Sequence, residues 1–324
     1  MVYEHVLNMV GNTPIIKLYL KDAQNVSLYV KLEYFNPTGS VKDRAARYVI
    51  DRLLEEKMID KNTTIIESSS GNFGIALSNY CRSKELKFIC VIDPLISYTN
   101  ETIIRKMSTE VVKVVEPDIN GGYLLNRIKK INKLLEEIPN SYWINQYGNK
   151  YNAEAYNKTL AFEMCNEVTN IDYVFIGVSS GGTITGVSSK VKKVYPNAKI
   201  IAVDIVGSVV FGGKPQKRFI PGIGSSKVPE ILEFAQIDDV VFVREYDVIL
   251  SCNELLKTYN IFAGGSSGAV FTAIKQYFKT QNIDKQVNVV TLFADRGDRY
   301  SETVYNEEWC MEHFCAPDQL RRVE

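Results

Sequence analysis

The chain has 324 residues, 45% of them hydrophobic and 23% charged, the composition of an ordinary globular protein long enough for two packed lobes. Lys+Arg and Asp+Glu each total 38, so a formal net charge of zero gives no electrostatic reason for a nucleic-acid or membrane partner. Six cysteines (Cys81, Cys90, Cys165, Cys252, Cys310, Cys315) lack Cys-x-x-Cys spacing; with only His5 and His313 beside them they argue against a metal site and read as reduced core thiols.

The opening "MVYEHVLNMVGNTP" has neither the basic start nor the apolar core of a signal peptide, and no apolar run reaches membrane-spanning length. A soluble, cytoplasmic protein is the expectation. "SLYVKLEYF" reads as a strand; Ala46, Val49, Ile50, Leu53 and Leu54 then recur at the three-four spacing of one helix face. "TTIIE" is a strand before the helix opened by "GNFGIALSNYC", and "KFICVID" one before "TNETIIRKMS". "EVVKVV" precedes the long amphipathic pattern "GGYLLNRIKKINKLLEEI". "YVFIGV", "KIIAVDI", "DVVFV" and "VNVVTLF" supply later strands with helices between them. This alternation predicts an α/β fold of mostly parallel sheets covered by helices on both faces, with ligands beyond the C-terminal strand ends. No repeat or linker stands out; residues 148–152 are the candidate boundary.

Four loops carry chemistry. In "YFNPTGSVKDRAARYVI" a turn of Asn, Pro, Thr, Gly and Ser delivers Lys42 to the mouth of a helix, either as a solvated start or as a lysine held for reaction. "ESSSGNFG" exposes backbone N–H groups where a helix begins, which suits a carboxylate or phosphate or is a plain cap; Asn72 adds an amide donor. "GVSSGGTITG" lets the backbone curl around an anion at Gly181 and Gly182, with hydroxyls at Ser180 and Thr183. It has neither the P-loop lysine nor the dinucleotide spacing, so a single phosphate group is the expected guest. "FAGGSSGAVFTAI" sets Ser266 and Ser267 between glycines that permit close approach of a flat ligand. A lysine, one phosphate cradle, a carboxylate-binding helix start and a serine near a planar ring together describe a pyridoxal phosphate site.

At this point the chain resembles the cysteine synthase family, fold type II pyridoxal phosphate enzymes related to cystathionine β-synthase and the tryptophan synthase β-subunit. The matching stretches run in order through "VGNTPIIKL", "NPTGSVKDRAA", "SSSGNFGIAL", "SSGGTITG", "IPGIGSSKVPEIL", "GGSSGA" and "DRGDRY". The resemblance implies two three-layer lobes with twisted sheets: a substrate-side lobe over residues 1–147, its first ~35 residues crossing to the other, and a cofactor-phosphate lobe over 148–324. It implies Lys42 as the Schiff-base lysine and catalytic base, and Asn72 on the cofactor's phenolic oxygen. Ser179, Ser180, Gly181, Gly182 and Thr183 would hold the phosphate, and Ser266 the pyridine nitrogen. Ser69, Ser70, Gly71 and Asn72 would grip the substrate carboxylate, with help from Gln146. A homodimer is also implied.

Departures are informative. Phe73 stands where the family carries a hydroxyl, Ser179-Ser180 replace a Gly-Thr, and "NAEAYNKTLAFEM" lacks the Thr-Thr-Gly-Pro-Glu run. "EPDINGGYLLNRI", "YWINQYGN", "VGSVVFGGKPQKRFIPGIG" and "DRGDRYSETVYNEEW" resemble instead the siderophore-pathway branch that makes N-(2-amino-2-carboxyethyl)-L-glutamate, a 2,3-diaminopropionate precursor. That branch implies β-replacement through an aminoacrylate, with O-phospho-L-serine as donor, L-glutamate as acceptor and phosphate released. Arg127, Lys214, Lys217, Arg218 and Arg296 are candidate cations for those substrates, Arg127 and Arg296 foremost, and Tyr147 could orient the donor. A solvated helix face for Arg127 and simple packing for Tyr147 are the rival readings. The alternatives are a cysteine or lanthionine synthase using a thiol or sulfide, a serine/threonine dehydratase, or a non-catalytic family member.

Overall fold

The β-branched runs and helical patterns fold into an α/β protein with mostly parallel sheets. The computed structural model describes residues 2–118, 122–281 and 283–314; Gly121, at the head of the long amphipathic pattern, and Cys315 lie outside the described residues. The strands are β1 (Ile15–Tyr19), β2 (Val26–Leu32), β3 (Thr64–Ser68), β4 (Lys87–Ile92), β5 (Glu110–Lys113), β6 (Ser141–Trp143), β7 (Tyr173–Gly177), β8 (Lys199–Ile205), β9 (Asp239–Val243) and β10 (Val287–Phe293). The helices are α1 (Lys42–Glu55), α2 (Asn72–Ser83), α3 (Tyr98–Met107), α4 (Leu124–Glu137), α5 (Lys150–Lys158), α6 (Leu160–Glu167), α7 (Gly182–Val194), α8 (Glu245–Tyr259), α9 (Gly265–Thr280) and α10 (Glu307–Phe314). None among the described residues is long and apolar enough to cross a membrane.

Strands β3 to β6 form a four-stranded parallel sheet in the order β5-β4-β3-β6, and the rest a six-stranded sheet in the order β1-β2-β10-β7-β8-β9. Among the described strands only the β1–β2 pair is antiparallel, as a tight return allows; the parallel pairs β3–β4, β4–β5 and β7–β8 are joined through α2, α3 and α7, whereas β8 reaches β9 through a long loop. Alternate residues feed different cores, as a pleated strand covered on both faces must. Ile65 joins the central core while Ile66 turns to Ile131 and Leu134 of α4. In β8, Ile200 and Ala202 join the central core, whereas Ile201 and Val203 pack with Val270 and Ala273 of α9. The central core takes side chains from both sheets and from α1, α2, α5 and α7 between them, so the sheets share one apolar interior.

A buried charge network ties the chain's beginning to this interior. Arg44 of α1 donates to Glu33 (2.7 Å) and Glu163 (2.6 Å), both its own side chain and that of Glu33 being wholly buried. Lys31 of β2 reaches Glu163 and Glu167 of α6, each at 2.9 Å. The candidate boundary at 148–152 falls on the start of α5, where the Asn149 side chain accepts from the Tyr151 N–H at 2.9 Å.

Candidate active site

The C-terminal ends of β3, β7 and β10 converge on a cavity of about 500 Å³ lined by Lys42, Ser69–Phe73, Arg127, Gln146, Tyr147, residues 179–181, Thr183, Ser266, Asp295 and Arg299, among others. Helices α1, α2, α7 and α9 all begin at its wall, and no residue at their N-cap positions supplies a side-chain hydrogen bond. A helix start left without a side-chain cap is receptive to anions, although at α1 Ser40 Oγ accepts from the Lys42 N–H (3.3 Å) and at α2 Ser69 Oγ accepts from the Gly74 N–H (3.0 Å).

Lys42 is the first residue of α1. Its helix is pinned to the larger sheet by the Val41 N–H, which donates to the Ala294 carbonyl at 2.8 Å. Burial lowers the Lys42 ammonium pKa from its ordinary 10.5 to about 8, against the opposing attraction of Asp295. Its Nζ lies 6.0 Å from the ring centroid of Tyr156, which is fully buried on α5. A desolvated lysine of this kind is a usable nucleophile and base near neutral pH.

The β7–α7 loop has the geometry of an anion cradle. Gly181 takes φ +81, where a side chain is disfavoured, and an added Cβ would stand 3.1 Å from Ile231. Ser180 and Thr183 contribute hydroxyls at the cavity wall, and Ser179 Oγ donates to the Gly224 carbonyl at 3.0 Å, tying this loop to "PGIG". Gly182, the first residue of α7, also permits close packing of α5 on α7, since an added Cβ would meet the Asn152 amide at 2.6 Å. The donor set of backbone amides and hydroxyls, open at a helix start, fits the single phosphate of pyridoxal phosphate, and the half-buried lysine fits its aldehyde.

Across the cavity, Ser69 Oγ accepts from the Gly71 and Gly74 N–H groups (3.3 and 3.0 Å) and shapes the β3–α2 loop. Arg127 of α4 donates to Ser70 Oγ and lies 3.1 Å from Asp93. It is turned into the cavity rather than onto a solvated helix face. Gln146 Nε2 donates to the Ser68 carbonyl at 3.2 Å, and its backbone N–H donates to Glu67 at 3.1 Å. Burial lifts the Glu67 carboxyl to about 7, opposed by hydrogen bonds from Ser68, Trp143 and Gln146. Burial likewise raises the Tyr147 phenol.

Arg296 is not brought into this group: its side chain is 64% exposed, beside Asp298, and it is absent from the cavity wall. The bridges Ser40↔Asp295 and Ala263↔Arg296 hold this stretch extended, so successive side chains point opposite ways. Asp295 points inward and Arg296 outward; one turn later Arg299 returns. Asp295 Oδ2 accepts from Asn72 Nδ2 (2.7 Å) and from the Tyr300 hydroxyl (2.8 Å), while its buried Oδ1 has no partner among the described residues. Arg299 donates to Asn72 Oδ1 and to the Thr38 carbonyl. The inward residues Asp295, Arg299 and Tyr300 were carried by "DRGDRY" all along, but alternation alone could not say which arginine faced in. Lys214 and Lys217 are exposed, whereas Arg218 lines the cavity.

Among solved structures, the chain is 34% identical to an O-acetylserine dependent cystathionine beta-synthase from Helicobacter pylori, covering 94% of this chain and 100% of that one, with a TM-score of 0.88. It is 30% identical to a hydrogen sulfide-producing enzyme from Fusobacterium nucleatum (92% and 100% covered, TM-score 0.86). It is 31% identical to a lysine-dimethylated mutant of a hydrogen sulfide-producing enzyme complexed with an alpha-aminoacrylate intermediate (91% and 89% covered, TM-score 0.84). Residues 6–295 match the family described as pyridoxal-phosphate dependent enzyme. The chain belongs to that family, and its cofactor is pyridoxal phosphate.

Proposed function

We propose that the protein catalyses β-replacement, joining O-phospho-L-serine to L-glutamate to give N-(2-amino-2-carboxyethyl)-L-glutamate and phosphate. The observation that carries this reading is the placement of Arg127, Arg218 and Arg299 on one cavity with Lys42. A phosphorylated donor and a dicarboxylate acceptor call for such cations, and sulfide does not. Bound pyridoxal phosphate supplies an electron sink conjugated to the substrate Cα. Lys42 anchors it and, once displaced, takes the Cα proton at Nζ, a task suited to an amine that titrates near 8. The open start of α7, with Ser179, Ser180, Gly181, Gly182 and Thr183, holds the phosphate. Asn72 keeps a second Nδ2 hydrogen for the phenolic oxygen beyond the one given to Asp295. Ser266 offers the pyridine nitrogen a neutral hydroxyl, which leaves that nitrogen without a carboxylate to hold its proton. The β3–α2 loop receives the substrate carboxylate, and Tyr147 and Arg127 orient the donor.

A second reading, with a thiol or sulfide as acceptor, is favoured by the 34% and 30% identity to the two enzymes named for cystathionine and hydrogen sulfide. One experiment separates them. The holoenzyme is given O-phosphoserine, O-acetylserine or serine with glutamate, cysteine and sulfide together, and products are identified by mass spectrometry. The amine-linked product with stoichiometric phosphate is expected; a thioether or cysteine as sole product overturns the glutamate reading.

A further inference from the structure

We infer that Arg218 forms an anion subsite at the mouth of the cavity that receives the side-chain carboxylate of the acceptor; the inference deepens the reading of the acceptor as an anionic amine. Arg218 sits in the loop between β8 and β9, half-buried on the cavity wall, unlike its exposed neighbours Lys214 and Lys217. Its guanidinium donates to Ser226 Oγ at 3.0 Å and to the Ile223 carbonyl at 3.4 Å, two neutral acceptors. Gly224, at φ +71, lets it in: an added Cβ would stand 2.5 Å from Nη1. The loop is therefore shaped around the guanidinium.

What is missing is a counter-ion. Among the described residues no carboxylate approaches Arg218 within ion-pair distance, whereas Arg127 across the cavity is already joined to Asp93 at 3.1 Å. Asp204 and Glu245 attract Arg218 through space, beyond ion-pair contact, and each also accepts backbone N–H groups. Glu245 accepts from the Phe219 and Ile220 N–H groups, each at 2.7 Å, and Asp204 accepts from the Ile205 N–H at 2.8 Å. A guanidinium that has given up part of its hydration without a carboxylate in direct contact is poised to bind one from the ligand. Both substrates of the proposed reaction carry an anionic group beyond the reacting carbon, so the same chemistry could come from the donor phosphate. Arg127 bonds to Ser70 of the carboxylate-receiving loop, on the donor's side, which leaves Arg218 for the acceptor.

The test reads the subsite apart from turnover. Glutarate, a dicarboxylate with no amine to react, is titrated into the holoenzyme and followed by cofactor absorbance and by calorimetry, for wild type, Arg218→Lys and Arg218→Gln. Glutarate affinity is expected to fall tenfold or more in Arg218→Gln and less in Arg218→Lys, with an unchanged cofactor spectrum showing an intact fold. Unchanged affinity in Arg218→Gln, or no glutarate binding by wild type, overturns the subsite. A rise in the KM of O-phosphoserine without a change in glutarate affinity reassigns Arg218 to the donor and also overturns it. Should the acceptor prove to be a thiol while glutarate binding still depends on Arg218, the subsite stands and only the glutamate reading fails.

Discussion

Raising the pH of cofactor-free protein titrates Lys42 before any ordinary lysine, and this makes its reactivity measurable. Only the free amine attacks an aldehyde. At pH 7 an amine titrating near 8 is about one-tenth free, against roughly 0.03% at an ordinary pKa of 10.5. Burial thus supplies on the order of 300-fold more reactive amine at neutral pH. The assay mixes apo-protein with excess pyridoxal phosphate and follows the visible absorbance of the bound cofactor by stopped flow, with Lys42→Ala as the blank. The rate should climb about tenfold per pH unit up to about 8 and then level off. Because Asp295 opposes the lowering, Asp295→Asn should move the break to lower pH. A rate still climbing with the same slope at pH 10 refutes the reasoning, since Lys42 would then be an ordinary solvated lysine.

The two arginines of "DRGDRY" should differ. Arg299→Ala removes the charged donor from Asn72 and Thr38 and should weaken cofactor binding tenfold or more in equilibrium dialysis, while exposed Arg296→Ala stays within about twofold. Equal losses would contradict the placement of the two side chains. Arg44→Met leaves Glu33 buried without its cation and should cost about 3–5 kcal/mol in urea unfolding. A loss below about 1 kcal/mol would mean that the network is relieved by solvent.

Much of this architecture was legible in the chain because its signals are local. Strands such as "VNVVTLF" and "KIIAVDI" declare themselves by β-branched runs, and the Gly-Ser loops by small residues where a helix pattern begins. Lys42, Asn72, Ser180, Thr183 and Ser266 come from four separate loops, and the structure gathers them on one cavity. Strand β6, at three residues, is too short to show a period and is held by its pairing with β3. The facing of Arg296 and Arg299 rests on a bridge to Ala263 some thirty residues away, which no local pattern encodes. The lone Oδ1 of Asp295 and the buried Tyr156 beside Lys42 are likewise products of packing between distant segments.

The register of β2 against β10, Val26 opposite Val287 through Leu32 opposite Phe293, also sets the order in which a nascent chain can mature. The four-stranded sheet draws on neighbouring segments and can assemble while synthesis continues. The hairpin of β1 and β2 must wait, its inner edge unmatched, until β10 has been synthesised. Pausing or truncation ahead of β10 therefore leaves a sticky two-stranded ribbon on a half-finished body, and such fragments should be held by chaperones until their closing strand arrives.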